Sequence, residues 1–137
     1  MCAIAVDRAK YLPDLIDSAA SAVDMSARIW TFVVPVSAAT GSMTVTTPAG
    51  QGVLCYGVQR NTPAATVGSR IEIGCNGIEE VIADGAFNAG IELAVAGTNG
   101  KAGAAASGDW VMGFSREAAT GADHKISMRL IDPYIKP

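Results

Sequence analysis

From residue 29 onward, short apolar segments alternate with turn signals along the chain. These segments are rich in Val, Ile, Thr and aromatic residues, which favour β-strands. They cover residues 29–36, 43–47, 52–58, 69–74, 79–83, 91–96, 110–115 and 125–131. The breaks include Pro48-Ala49-Gly50, Asn61-Thr62-Pro63, Asn76-Gly77, Asp84-Gly85 and Asn99-Gly100. Eight short strands at this spacing predict an all-β fold, either a small barrel or a sandwich.

Two of these segments alternate strictly between apolar and polar residues. In 70–73 and in 125–130, every second residue is apolar. Side chains on a strand point alternately to its two faces, so this pattern predicts one buried and one solvent-exposed face.

The first 28 residues have a different pattern. After Pro13-Asp14, the apolar residues follow at near-helical spacing. They are Leu15, Ile16, Ala19, Ala20 and Val23. A short helix and an extended arm that orders only against a partner both fit, because Ala/Ser-rich termini are often loose until docked. The chain therefore divides into an N-terminal arm, residues 1–28, and a β-rich domain, residues 29–137.

A weak internal repeat relates two parts of the β-rich domain. Residues 52–73 and 108–128 share a strand with a Gly-apolar step, an Arg two positions on, a small-residue loop and an alternating strand. The Gly-apolar steps are Gly57-Val58 and Gly113-Phe114. This similarity predicts that one hairpin unit occurs twice and that the two copies pack around one core.

Charge and hydropathy limit the possible partners. The formal net charge is −3 and Lys and Arg do not cluster, so nucleic acid is not an expected partner. No apolar run approaches the roughly 20 residues that span a bilayer, so no membrane partner is expected. The start of the chain lacks the basic leader of a signal peptide, which predicts a protein made in the cytoplasm.

The residue types needed for catalysis or metal binding are sparse. The three widely spaced cysteines have only His124 as a possible co-ligand, so reduced thiols are expected rather than a zinc site. Glu79 and Glu80 are adjacent and would point to opposite faces of a strand. The glycine-rich segment 97–103 lacks the spacing of a phosphate-binding loop, and its Asn99-Gly100 pair favours a tight hairpin turn. No catalytic residue, metal site or cofactor is predicted, and the chain is not expected to be an enzyme.

Large aromatic residues are few, and two interpretations of them stay open. Trp30 and Phe32 would share one face of a strand, as would Trp110, Met112 and Phe114. They could form a surface that binds a partner. Core packing is the favoured alternative, because the chain has few other large residues with which to fill a core.

The order of motifs from about residue 44 to residue 131 resembles the cement, or decoration, proteins of tailed-phage capsids. The matching motifs are Pro48-Ala49-Gly50-Gln51-Gly52-Val53, Gly57-Val58, Asn99-Gly100-Lys101-Ala102, Ala106-Ser107-Gly108-Asp109, Val111-Met112-Gly113-Phe114, Ala118-Ala119-Thr120-Gly121 and Met128-Arg129-Leu130.

This resemblance implies a small β-barrel or β-tulip-like domain that forms a homotrimer on the capsid surface. The implied partners are the major capsid protein and other copies of the chain, and the implied location is the virion. The capsid or subunit contacts would then involve the arm and the first aromatic pair. These candidate residues are Tyr11, Leu12, Leu15, Ile16, Trp30 and Phe32. A fibre or tail component with a similar β-module is the alternative function.

Overall fold

The computed structural model describes residues 15–36, 43–60 and 66–137, except for the side chains of residues 15 and 16. Within these ranges the chain forms nine β-strands and no helix, which confirms the predicted all-β class. The strands are β1 (Leu15–Ser21), β2 (Phe32–Pro35), β3 (Thr44–Thr46), β4 (Gly57–Gln59), β5 (Arg70–Ile82), β6 (Glu92–Val95), β7 (Ala102–Ala104), β8 (Trp110–Ser115) and β9 (Lys125–Ile135). No helix in this part of the chain is long and apolar enough to cross a membrane.

The first half of the molecule, the first unit, is a closed five-stranded barrel. Its strand order is β1-β3-β2-β4-β5, and β1 also pairs with residues 70–76 of β5, which completes the ring. Closure satisfies the hydrogen bonds that an open sheet edge would leave exposed. The interior contains Ala19, Met25, Val33, Val45, Ile71 and Ile73.

Residues 15–21 form β1, so the helix alternative is wrong for this segment. The strand runs parallel to β3 and antiparallel to β5, and Ala19 is fully buried opposite Ile71. Pairing with two neighbours within the same chain overrides a weak helix propensity. The predicted boundary between residues 28 and 29 therefore falls within the barrel, and residues 1–14 of the predicted arm lie outside the described residues.

Strand β5 is long enough to belong to both halves of the molecule. Its residues 77–82 pair with β9, and the sheet continues through β8 and β6 to β7. This second set of strands is the second unit, and a parallel bridge between Ala83 and Ala102 connects its two ends. The predicted break at Asn76-Gly77 is wrong, because Gly77 adopts a φ of 79° within a continuous strand.

The two units repeat the same hydrogen-bond pattern. In each unit, the backbone N–H of an arginine donates to a carbonyl of the next strand. Arg60, after β4, donates to Glu72 O, and Arg116, after β8, donates to Ser127 O, both at 2.9 Å. Two further pairs match: Ser21 N–H to Ser69 O (2.9 Å) with Ala83 N–H to His124 O (2.9 Å), and Gly68 N–H to Ser21 O (2.8 Å) with Asp123 N–H to Ala83 O (2.8 Å). The predicted repeat is therefore confirmed, and it extends to all five strands of each unit.

The side chains that fill the two interiors also correspond. The first-unit and second-unit pairs are Ala19/Val81, Met25/Phe87, Val33/Leu93, Val45/Ala102, Ile71/Ile126 and Ile73/Met128. The expectation of one shared core is wrong, because the strands of each unit curve around an apolar cluster of their own.

The units meet through the outer face of the first barrel, at a contact we call the joint. Phe32, Cys55 and Val58 face away from the barrel interior and join the apolar cluster of the second unit. Backbone groups add hydrogen bonds there. These are Phe32 N–H to Gly100 O (2.7 Å), Ile82 N–H to Trp30 O (2.9 Å), Gly52 N–H to Val95 O (2.9 Å) and Trp110 N–H to Gly52 O (2.9 Å).

The cysteines do not share one state. Cys55 is a buried free thiol at the joint, and burial raises its pKa to about 12. Cys75 is disulfide-bonded, so the expectation of reduced thiols is wrong at this residue. Sequence spacing gives little information here, because a disulfide requires proximity in space rather than in sequence. Cys2 lies outside the described residues.

Candidate contact surfaces

The predicted contact residues are not brought together at one described surface. Tyr11 and Leu12 lie outside the described residues. Leu15 and Ile16 begin β1, where their backbones lie opposite β5. Phe32 is fully buried at the joint, so its side chain packs in the core and is not available to a partner.

Trp30 has a different environment from Phe32, although the sequence placed them on one strand face. It precedes β2 in a turn, with a φ of 62°, and its half-buried ring has the Lys125 Nζ 5.3 Å from its centroid. A lysine ammonium at this distance interacts favourably with an indole face. The ring lies beside the joint and remains partly accessible.

Within the described ranges, most of the large apolar residues that reach solvent lie in the second unit. The exposed ones in these ranges are Val23, Leu54, Val67, Ile78, Phe114, Tyr134 and Ile135. Four of these belong to β5, β8 and β9, the strands of the second unit. A group of exposed apolar residues on one sheet is more informative than scattered single ones, because it is typical of binding surfaces.

A row of side chains crosses four strands on the outer face of the second unit. The strand register places Ile78 opposite Arg129, Arg129 opposite Phe114, and Phe114 opposite Glu92. Arg129 and Phe114 are exposed, whereas the residues on both sides of Arg129 along β9 are buried. We call this row, together with Tyr134, whose hydroxyl bonds Glu92, the outer face.

The C-terminal residues hold one side of the outer face in place. Tyr134 donates its hydroxyl to Glu92, and the Lys136 Nζ lies 3.2 Å from the other oxygen of that carboxylate. The Tyr134 hydrogen bond, assisted by Lys136, lowers the pKa of Glu92, and the same hydrogen bond raises the pKa of Tyr134. Lys136 also donates to the carbonyl of Ala105 at 2.9 Å.

The expectation of core packing is wrong for Phe114. The register of β8 against β9 shifts between Val111 and Gly113. This irregularity changes which residues share a face, so Met112 is buried in the core and Phe114 is exposed. The sequence contains one hint, because Gly113 has no side chain that could pack, and a glycine within a strand often marks such a bulge.

The adjacent glutamates and the histidine noted in the sequence lie in different environments. Glu79 and Glu80 point to opposite sides of β5, as predicted: Glu79 is buried and lies 3.5 Å from Arg60, and Glu80 is partly exposed and bonds Lys125 at 3.0 Å. His124 is exposed in a turn and accepts a hydrogen bond from the Thr120 N–H. Across the described ranges, no group of three His, Cys, Asp or Glu residues is placed to hold a metal ion.

Comparison with solved structures shows a similarity at the level of fold. The fold is similar to that of the head fiber gp8.5 N base of bacteriophage phi29, with a TM-score of 0.65 and 13% sequence identity. The superposition covers 86% of this chain and 94% of that chain. No protein-family model and no curated protein matches the sequence.

Proposed function

We propose that the chain is a structural protein of a tailed-phage virion that binds the outside of the capsid and stabilises the shell. The observation that carries this proposal is the fold similarity to a phage head fiber base, which includes nearly the whole of that base. The motif order from residue 44 to residue 131, which resembles capsid cement proteins, supports the same class independently.

In this proposal the partners are the major capsid protein and further copies of the chain in a homotrimer, without nucleic acid, membrane, cofactor or enzymatic activity. A trimer binds several capsid subunits at once, so modest individual contacts combine into tight attachment. Attachment to one lattice state stabilises that state by mass action, which is how such a protein would strengthen the shell.

The test is co-sedimentation of the purified protein with undecorated, expanded capsids of the phage that encodes it. Binding at a fixed ratio to the capsid protein, with a rise in the temperature at which capsids break, is the expected result. An unrelated β-protein of similar size and charge is the control. A protein that stays in the supernatant at all concentrations would overturn the capsid-binding proposal.

Trp30 is the predicted contact residue to test first, because its side chain is partly accessible, whereas that of Phe32 is buried. Trp30→Gly removes the ring and suits the left-handed backbone at this position. If Trp30 contacts the capsid, this variant binds capsids more weakly, whereas Val67→Ser, at a more exposed apolar residue, binds normally. Equal binding by both variants would remove Trp30 from the contact.

A fibre component is the second candidate, because the similar solved structure is described as the base of a head fiber. In that case the chain would attach a longer fibre rather than reinforce the shell. Capsids that bind the protein without gaining thermal stability would favour this role over cement.

A further inference from the structure

The internal repeat defines two sides of the joint, and each side has a counterpart elsewhere in the molecule. One side is the outer face of β2 and β4, where Val58 is fully buried against the second unit. The other side is a rim of the second unit, where Val95 O and Trp110 N hold Gly52.

The counterpart of the first side is the outer face of the second unit. The repeat aligns Val58 with Phe114, because they lie opposite Gly74 and Arg129 at equivalent register positions. Val58 has no exposed surface, whereas Phe114 is 36% exposed. Tyr134 and Ile135 lie on the same unit and are also exposed.

The counterpart of the receiving rim lies on the first unit. The repeat aligns Val95 with Pro35 and Trp110 with Leu54. Pro35 is exposed and Leu54 is 45% exposed. The rim of the first unit therefore exposes apolar residues at the positions equivalent to those that bind Gly52 in the second unit.

The molecule thus exposes an apolar residue, Phe114 or Leu54, at the counterpart of each side of a contact that it already makes once internally. The counterparts of the other two joint side chains, Phe32 and Cys55, are Glu92 and the buried Val111. Terminal units of repeat proteins usually have polar outer faces, because an exposed apolar stacking face would bind a further unit. Here Phe114 is exposed at one position and Leu54 at the other. A second copy of this chain has the surface complementary to each.

We propose that copies of the chain associate head to tail, with the outer face around Phe114 of one copy on the Leu54 rim of the next. Such a contact joins two different surfaces, so it forms a ring when the rotation between copies closes. This inference rests on the self-association in the proposed function and adds which surfaces make the contact. It does not depend on capsid binding.

The experiment compares Phe114→Glu and Leu54→Glu with Val67→Glu as the control, by sedimentation equilibrium with circular dichroism as the check on folding. Each of the first two variants breaks one side of every contact and is expected to weaken association on the order of 100-fold, giving monomers. Val67 is 68% exposed and lies on neither side, so its variant should associate like the unchanged protein.

Mixing the two monomeric variants gives the most specific result. The Leu54 rim is unaltered in Phe114→Glu, and the outer face is unaltered in Leu54→Glu. One copy of each variant can therefore form one intact contact, so the mixture should yield dimers. If either glutamate variant loses its fold, the corresponding serine variant replaces it in the same measurement.

Three results would overturn the inference. Unchanged oligomers in Phe114→Glu or Leu54→Glu would show that self-association uses another surface. Mixtures that remain monomeric would exclude a head-to-tail contact between these two faces. An unchanged protein that is monomeric at high concentration would exclude self-association altogether, and the separate capsid co-sedimentation would still decide the capsid-binding proposal.

Discussion

The two units have the same strand order and equivalent hydrogen bonds, but they are closed to different degrees. In the first unit, β1 pairs with both β3 and β5 and completes a barrel. In the second unit, one bridge between Ala83 and Ala102 connects the ends of the sheet. Two sequences with little obvious similarity thus form the same arrangement, so only a few positions need to be alike.

The shared positions are places where a side chain or a particular backbone angle decides the geometry. Gly57 and Gly113 each lie against the backbone of the following strand, where a Cβ would come within 2.5 Å of Gly74 O or 2.2 Å of Arg129 O. Gly68 and Asp123 occupy equivalent left-handed turns, with φ of 81° and 66°. Glycine suits such angles best, and Asp is among the residues that tolerate them.

The largest expected effect comes from a charge inside the closed barrel. Ala19→Asp places a carboxylate in the first interior, where Ala19 is fully buried, and should cost ~3–5 kcal/mol of the free energy of unfolding. Ser18→Asp, at the exposed neighbouring position of β1, is the matched control and should leave stability nearly unchanged. Chemical denaturation of both variants measures the difference. Similar midpoints for the two would mean that β1 is not part of the folded barrel.

The paired glycines test the equivalence of the units directly. Gly57→Ala and Gly113→Ala should each lower the free energy of unfolding by about 1–3 kcal/mol, because the added methyl group meets backbone that cannot move aside easily. Gly121→Ala is the control, since among the described residues no atom lies within 4 Å of its Cβ position. A normal stability for Gly113→Ala would contradict the close approach of β8 to β9.

The two interiors exchange large and small residues between neighbouring strands. The first unit combines Ala19 with Val45, and the second combines Val81 with Ala102. Ala19→Val should overfill the barrel and Val45→Ala should leave a cavity, each at a cost of about 1–3 kcal/mol. The double variant should recover about 1 kcal/mol of their sum, measured by denaturation. Strict additivity would show that the two positions do not share a packing site.

The smallest expected effect concerns the joint at alkaline pH. Burial raises the pKa of Cys55 to about 12 from 9.0, so the folded protein keeps this proton after the unfolded chain has lost it. The stabilisation is complete below pH 9 and is lost as the pH rises from 9 to 12, by about 1 kcal/mol between pH 8 and 10. Cys55→Val installs an apolar residue like its counterpart Val111 and should flatten this decline in denaturation experiments.

The comparison of the two proteins is made below pH 10, because Tyr56 also affects stability above that pH. Burial, with a hydrogen bond to Asp17, raises its pKa to about 12 from 10.0, so its contribution declines between pH 10 and 12 in both proteins. An identical decline below pH 10 with and without the thiol would show that Cys55 is accessible to solvent when the protein is folded.

The sequence predicted most of the strands because their apolar residues have the right period and composition. It did not predict β7, since Ala102–Ala104 is made of small residues with little strand preference. β1 was ambiguous because only its pairing with two distant strands distinguishes it from a helix. The outer face was missed at Phe114 because a shift in strand register, rather than the residue pattern, turns that side chain outward.

Electron cryomicroscopy of undecorated capsids mixed with the purified protein would show whether the chain binds the capsid surface. We expect added density on the outer surface at symmetric positions between capsid subunits, into which three copies of the two-unit fold can be placed. Capsids whose surface is unchanged at saturating protein concentration would contradict the proposal that this chain is a capsid-binding structural protein.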